Sequence, residues 1–129
     1  MPATALAHYN LRADRHTLDA LHDFYVAAVG LTVGYRPPFH VPGYWLYIGE
    51  MDVLHLTEAA PSEQRTPHTI TTFHHVAFSC TDRCEFEQRL RSLSIGYTSD
   101  NVPMTHCHQL FCSDPAGNGV ELNFIEAPQ

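Results

Sequence analysis

Four side chains that could bind a metal stand at matching places in the two halves of the chain. His8 sits in the opening run Ala7-His8-Tyr9-Asn10-Leu11, and His55 in the closing run Val53-Leu54-His55-Leu56-Thr57. The second half opens on His74-His75-Val76-Ala77-Phe78 and closes on Gly119-Val120-Glu121-Leu122-Asn123. His8 and His75 are 67 residues apart, His55 and Glu121 66. Imidazole and carboxylate ligate divalent metals, and imidazole also takes up a proton near neutral pH. Two halves in near-constant register therefore suggest a metal held between two copies of one module.

The elements that must carry these residues follow from periodicity. Leu6 to Arg12 alternates as a strand does, and Leu18, Leu21, Tyr25, Ala28 and Val29 recur at helical spacing over Thr17 to Val29. Gly30 stands where a helix-ending glycine belongs. Leu31 to Arg36, Tyr44 to Ile48 and Met51 to Glu58 read as strands. Residues 59–72, with two prolines and several small polar residues, read as a linker between module one (5–58) and module two (73–126) of a single domain spanning 1–129. Phe73 to Ser79 is a further strand. Asp82 with Glu85 predicts a capping box for a helix bearing Phe86, Leu90 and Leu93, and Gly96 is expected to end it. Strands near Tyr97 to Ser99, Gln109 to Cys112 and Gly119 to Ile125 complete the repeat, with a tight turn over Asp114-Pro115-Ala116-Gly117-Asn118-Gly119. Each half is strand–helix–strand–strand–strand, βαβββ.

Strand parity then assigns faces. His8, Asn10 and Arg12 oppose Tyr9 and Leu11; His55 and Thr57 oppose Leu54 and Leu56. His75, Ala77 and Ser79 oppose Val76 and Phe78; Glu121 and Asn123 oppose Val120, Leu122 and Phe124. The apolar faces are expected to pack on the helices, leaving the ligands and small polar residues on the other face. A merely wet sheet face would explain polarity, but not imidazoles at equivalent positions of both halves.

Bulk properties narrow the function. At 129 residues the chain has the size of one domain. Its net charge is −7 and every basic residue is an arginine, so the basic stripe that nucleic-acid binding needs is missing. No apolar run approaches the ~20 residues of a membrane span, and Met1-Pro2-Ala3-Thr4 does not begin a signal peptide; a cytoplasmic protein is expected. Cys80, Cys84, Cys107 and Cys112 have spacings unlike standard zinc pairs, and free thiols are expected.

With these residues laid out, the chain resembles the vicinal oxygen chelate superfamily, which includes glyoxalase I, methylmalonyl-CoA epimerase, extradiol dioxygenases and bleomycin-resistance proteins. The resemblance runs from His8 to Glu126 and is most specific at Phe73-His74-His75-Val76-Ala77-Phe78 and at the Asp114-Pro115-Ala116-Gly117-Asn118 turn leading into Val120-Glu121-Leu122. It implies an α+β fold in which two paired βαβββ modules form a curved sheet around a metal cleft, with helices on the outer face. It further implies metal ligands His8, His75 and Glu121, a two-His–one-carboxylate set suited to Fe(II), Mn(II), Ni(II) or Zn(II), and a homodimer. His74 is a competitor for His75, but parity puts it on the helix side. His55 falls where glyoxalase I and the epimerase carry Glu or Gln, and would be a fourth ligand or the catalytic base. Asn10, Arg12, Thr57, Ser79 and Asn123 would contact substrate.

The family's shared chemistry is bidentate chelation of two neighbouring oxygens, with a Lewis-acid metal stabilising an enediolate-like oxyanion. A lysine-free chain fits poorly with phosphonate, glutathione or CoA cargo, so the expected partner is a small neutral or weakly anionic molecule. The expected activity is lyase or isomerase chemistry, with Fe(II)-dependent extradiol cleavage of a catechol-like substrate as the nearest alternative. Against the latter, extradiol enzymes carry a tyrosine four residues before the turn proline, where this chain has Phe111; His55 or His108 would have to replace its hydroxyl. A metal-free antibiotic-binding protein is the third reading. Tyr44, Trp45 and Tyr47 are candidates either for stacking on an aromatic substrate or for packing.

Overall fold

A strand, a helix and three further strands follow one another twice in the computed structural model, which describes residues 1–126. The chain divides into two units, Met1–Pro67 and the part from His68 on. No helix among the described residues is long and apolar enough to cross a membrane.

In the first unit β1 (Tyr9–Ala13) leads into α1 (Arg15–Phe24), followed by β2 (Thr32–Gly34), β3 (Gly43–Ile48) and β4 (Met51–Glu58). The sheet order is β1-β4-β3-β2. β1 runs parallel to β4, and such pairing requires a long crossover, here supplied by α1 and the β2–β3 hairpin. Asp14 caps α1 by accepting a hydrogen bond from the Thr17 amide at 2.8 Å, which holds its carboxyl below the usual carboxylate range. The helix runs on as a π-helical turn, Tyr25–Val29, before Gly30 at φ 93° stops it. The amides of Gly30 and Leu31 both reach back to the Tyr25 carbonyl at 3.0 Å. Leu18, Leu21, Phe24, Tyr25 and Ala28 bury against the sheet with Leu46, Leu54 and Leu56. Each such side chain contributes roughly 1.5–3 kcal/mol of apolar burial.

The second unit repeats the plan with β5 (His75–Cys80), α2 (Arg83–Ser92), β6 (Thr98–Asn101), β7 (Cys107–Ser113) and β8 (Gly119–Ile125), in sheet order β5-β8-β7-β6. Phe78, Leu90, Leu110, Val120, Leu122 and Phe124 form its core. The Phe86 ring of α2 meets Phe124 edge-on at 5.4 Å. The chain is thus α+β with two βαβββ modules, as its sequence predicts.

Three local expectations are corrected. The capping box of α2 does not form: Asp82 takes a left-handed φ of 61° and its side chain caps nothing. Arg83, in the first turn, instead ties the helix start to Glu126 and, at 3.1 Å, to His108. Gly96 does not end α2, which stops at Ser92; Ser94 takes the left-handed position at φ 58°, and the Ile95 amide bonds back to Leu90 at 2.9 Å. β6 starts at Thr98 rather than Tyr97, because the Tyr97 hydroxyl is drawn to the helix by Glu87 at 2.9 Å and Arg91 at 2.8 Å.

The Asp114 turn is held by that residue's own carboxylate. Oδ1 accepts from the amides of Ala116 and Asn118, both at 2.9 Å, and Oδ2 from the Asn118 side chain at 3.1 Å. Gly117 supplies the φ of 90° that closes the turn.

Candidate functional site

Within the first unit the helix-free face collects the predicted residues. In the β1–β4 ladder Asn10 lies opposite His55 and Arg12 opposite Thr57. His8, just before β1, stacks its ring on His55 at 3.7 Å and 16°. On the other side β3 places Trp45 opposite His55, and its ring stacks at 4.0 Å and 7°. His55 is thereby sandwiched between an imidazole and an indole and is only 8% exposed.

The remaining contact on His55 is one that strand parity does not foresee. Asp52 Oδ2 lies 2.7 Å from His55 Nε2. Residues three apart in a regular strand face opposite ways. Here Leu46 pairs with Leu54 but Tyr47 pairs with Asp52, so β4 carries one extra residue, Val53, in a bulge. Such an insertion breaks the alternation and re-aims the neighbouring side chain. The hydrogen bond from His55 holds the Asp52 carboxyl below its ordinary value. Ligand atoms of His8, Asp52 and His55 all lie within 4.8 Å of one another.

The predicted substrate contacts are partly committed elsewhere. Thr57 donates to Asn10 Oδ1 at 3.0 Å, and Arg12 reaches Thr57 at 3.5 Å. The Arg12 guanidinium is chiefly paired with Glu63, at 2.8 Å, which also pairs with Arg65 at 2.5 Å. Those two arginines, Arg65 foremost, hold Glu63 below the usual carboxylate range. Tyr44 faces α1, donating to Asp19 at 3.0 Å, so it packs rather than lines the site. Tyr47 donates to the Tyr35 carbonyl at 2.6 Å, with its ring over Gly34 where a Cβ would collide.

In the second unit His75 Nε2 lies 3.3 Å from Glu121 Oε1. Glu121 is only 5% exposed, and its other oxygen accepts from the Asn123 side-chain amide at 2.8 Å. Asn123 in turn is contacted by Cys107, and Ser79 stands opposite it in the β5–β8 ladder. Phe111 lies opposite Glu121 and meets the His75 ring edge-on at 6.3 Å and 86°. His74 precedes β5, is exposed, and approaches His75 ring to ring at 2.9 Å between Nδ1 atoms, so it does not turn to the helix side as parity suggests. His108 belongs to the α2 side, bonded to Arg83 and Asn101, so it cannot stand in for a hydroxyl at Phe111. All four cysteines are free. A cavity of about 590 Å³ opens beside this group, with Phe73, His74, His75, Phe111 and Asn118 in its wall; its size suits a small ligand.

No protein-family model matches the sequence, and no curated protein matches it either. Solved structures do. A lactoylglutathione lyase from Agrobacterium tumefaciens is 25% identical, with 96% of each chain covered and a TM-score of 0.66. A glyoxalase/bleomycin resistance protein/dioxygenase from Nocardioides is 20% identical, covering 100% of this chain and 88% of its own, at a TM-score of 0.67. The fold is that of the vicinal oxygen chelate superfamily. An antibiotic binding protein from a Streptomyces species is similar to the same extent, at 19% identity, 98% and 99% coverage and a TM-score of 0.68. In the vicinal oxygen chelate fold of this chain, the opening and closing strands of each module are hydrogen-bonded neighbours, β1 beside β4 and β5 beside β8. That adjacency lets His8 reach His55 and His75 reach Glu121.

Asp52 and Trp45 are the residues of this candidate site that sequence reasoning missed or left open. The Asp52-x-x-His55 spacing carries no strand signal, and only the bulge gives it meaning.

Proposed function

We propose that this chain is a divalent-metal-dependent enzyme that binds a small molecule through two vicinal oxygens and stabilises an enediolate-like oxyanion, in lyase or isomerase chemistry. The observation that carries the reading is Glu121, a nearly buried carboxylate with one oxygen facing His75 and the other fixed by Asn123. A buried carboxylate is costly without such compensation, and orientation by an outer partner is what metal ligands require. The ligands in this reading are His8, His75 and Glu121, with Fe(II), Mn(II), Ni(II) or Zn(II) as the ion. The bound ion would supply Lewis-acid polarisation of the substrate oxygens.

The chain's own residues supply the rest. His55, clamped between His8 and Trp45 and oriented by Asp52, takes the substrate proton. Asn10, Thr57, Ser79 and Asn123 hydrogen-bond and orient the substrate. Arg12 shares that face, but Glu63 compensates its charge, which favours a neutral or weakly anionic substrate over a strongly anionic one. A homodimer and a cytoplasmic setting belong to the same proposal.

The test is proton exchange. Metal-loaded protein is incubated in D2O with a panel of α-hydroxyketones and α-ketoaldehyde adducts, and deuterium incorporation is followed by NMR. Exchange that stops on chelation and in His55→Gln supports the reading. No exchange across the panel, together with oxygen uptake on catechols, transfers the chain to the dioxygenase reading. No ion bound at all leaves the small-molecule-binding reading.

A further inference from the structure

We infer that the first unit holds a divalent ion by itself, through His8, Asp52 and His55, with Asp52 as the carboxylate ligand. This rests on the reading that the chain takes a divalent ion, but assigns its tightest ligands to the first unit and makes His55 one of them, in place of its role as the base. The three donors converge from separate chain positions: His8 ahead of β1, and Asp52 and His55 across the bulge of β4. Asp52 Oδ2 and His55 Nε2 are already 2.7 Å apart. Donors at metal–ligand bonds of about 2.1 Å lie roughly 3–3.4 Å apart in tetrahedral or octahedral geometry. That pair therefore needs to open only slightly to admit an ion.

His55 is pre-oriented, because Trp45 and the buried setting leave its ring little freedom. His8 is exposed and outside the strand, so its ring can turn from the stacked position toward a shared ion. Asp52 is half-exposed, which leaves the ion's remaining positions open to water or to substrate oxygens. The set is two imidazoles and one carboxylate, suited to borderline ions such as Zn(II), Ni(II), Co(II) or Fe(II). A carboxylate hydrogen-bonded to a histidine has a structural role as well, so the test must separate ligation from mere orientation.

Co(II) serves as the probe in the full-length chain, read by its d–d absorption bands and by quenching of Trp45, which is the sole tryptophan. In the doubly substituted His75→Ala/Glu121→Ala chain, Co(II) binding should persist within a few-fold of the wild type, with histidine-ligand bands retained. Asp52→Asn, nearly isosteric, should raise the Kd about 10–100-fold, and Asp52→Glu should recover part of the loss. Melting curves of the apo variants exclude misfolding as the cause. Binding lost in His75→Ala/Glu121→Ala but intact in Asp52→Asn overturns the inference and leaves the metal-enzyme reading standing. Absence of Co(II) binding in the wild type overturns both.

Discussion

Asp52 and His55 meet at 2.7 Å although they lie three residues apart on one strand, because the bulge at Val53 turns them to the same side of β4. The contact depends on charge. Its pH consequence has a definite sign: the Asp52 carboxyl is depressed in the folded chain, so its contribution to stability is present above the unfolded value near ~3.9 and fades as pH falls through the folded value. Asp52→Asn should therefore lower Tm at neutral pH and flatten the acid side of the Tm-versus-pH curve between about pH 2 and 5, the two curves converging at the acid end. An unchanged acid limb would show that the hydrogen bond has no energetic role.

Asp114 should be among the costliest single positions outside the apolar core. It is 3% exposed and its carboxylate accepts from two amides and a side chain within one turn. Asp114→Ala leaves those donors without their acceptor and is expected to lower stability by about 2–4 kcal/mol. Urea denaturation measures it, and a loss below 1 kcal/mol, on the order of a surface change, would contradict the assignment.

Two glycines should respond oppositely to alanine. Gly117 has φ 90°, and a Cβ there would sit 2.7 Å from the His68 ring and 3.0 Å from its Cα, so Gly117→Ala should destabilise by about 1–3 kcal/mol. A Cβ at Gly96 meets nothing within 4 Å, and its φ lies outside the left-handed region. Gly96→Ala should be neutral or stabilising by about 0.4–1 kcal/mol through the unfolded chain. Thermal melts of the two variants side by side give the comparison.

Burial, with Asp114 nearby, pushes the Cys112 thiol up to about 11. At pH 8 its thiolate fraction is then on the order of one in a thousand, and alkylation by iodoacetamide should be far slower there than at exposed Cys84. Raising the pH through 9 to about 11 should both speed labelling of Cys112 and cost stability, since the folded chain disfavours the thiolate. Peptide mapping after timed alkylation reads both sites, and equal rates at pH 8 would contradict the burial argument.

The repeat, the two βαβββ modules and the polar face were legible in the sequence because each rests on local periodicity. Leu54 and Leu56 against His55 and Thr57, or Val120 and Leu122 against Glu121 and Asn123, declare their faces by alternation alone. The end of α2 was not legible: Gly96 is the better left-handed residue, yet Ser94 takes that role, and the Ser94 and Ile95 amides bond back to the Arg91 and Leu90 carbonyls. Nor was the choice among neighbouring histidines fully legible, since His74 lies outside the strand whose parity would have assigned it.

The sequence by itself determined which residues share the polar face of each module, through hydrophobic alternation that a strand must obey to bury one side. Only the tertiary structure decided what those residues do to one another. Cross-strand register sets Trp45 against His55 and Phe111 against Glu121, and a single inserted residue brings Asp52 to the histidine. Register and bulges arise from hydrogen bonding between strands distant in the chain, and the residues they bring together need have no local spacing in common.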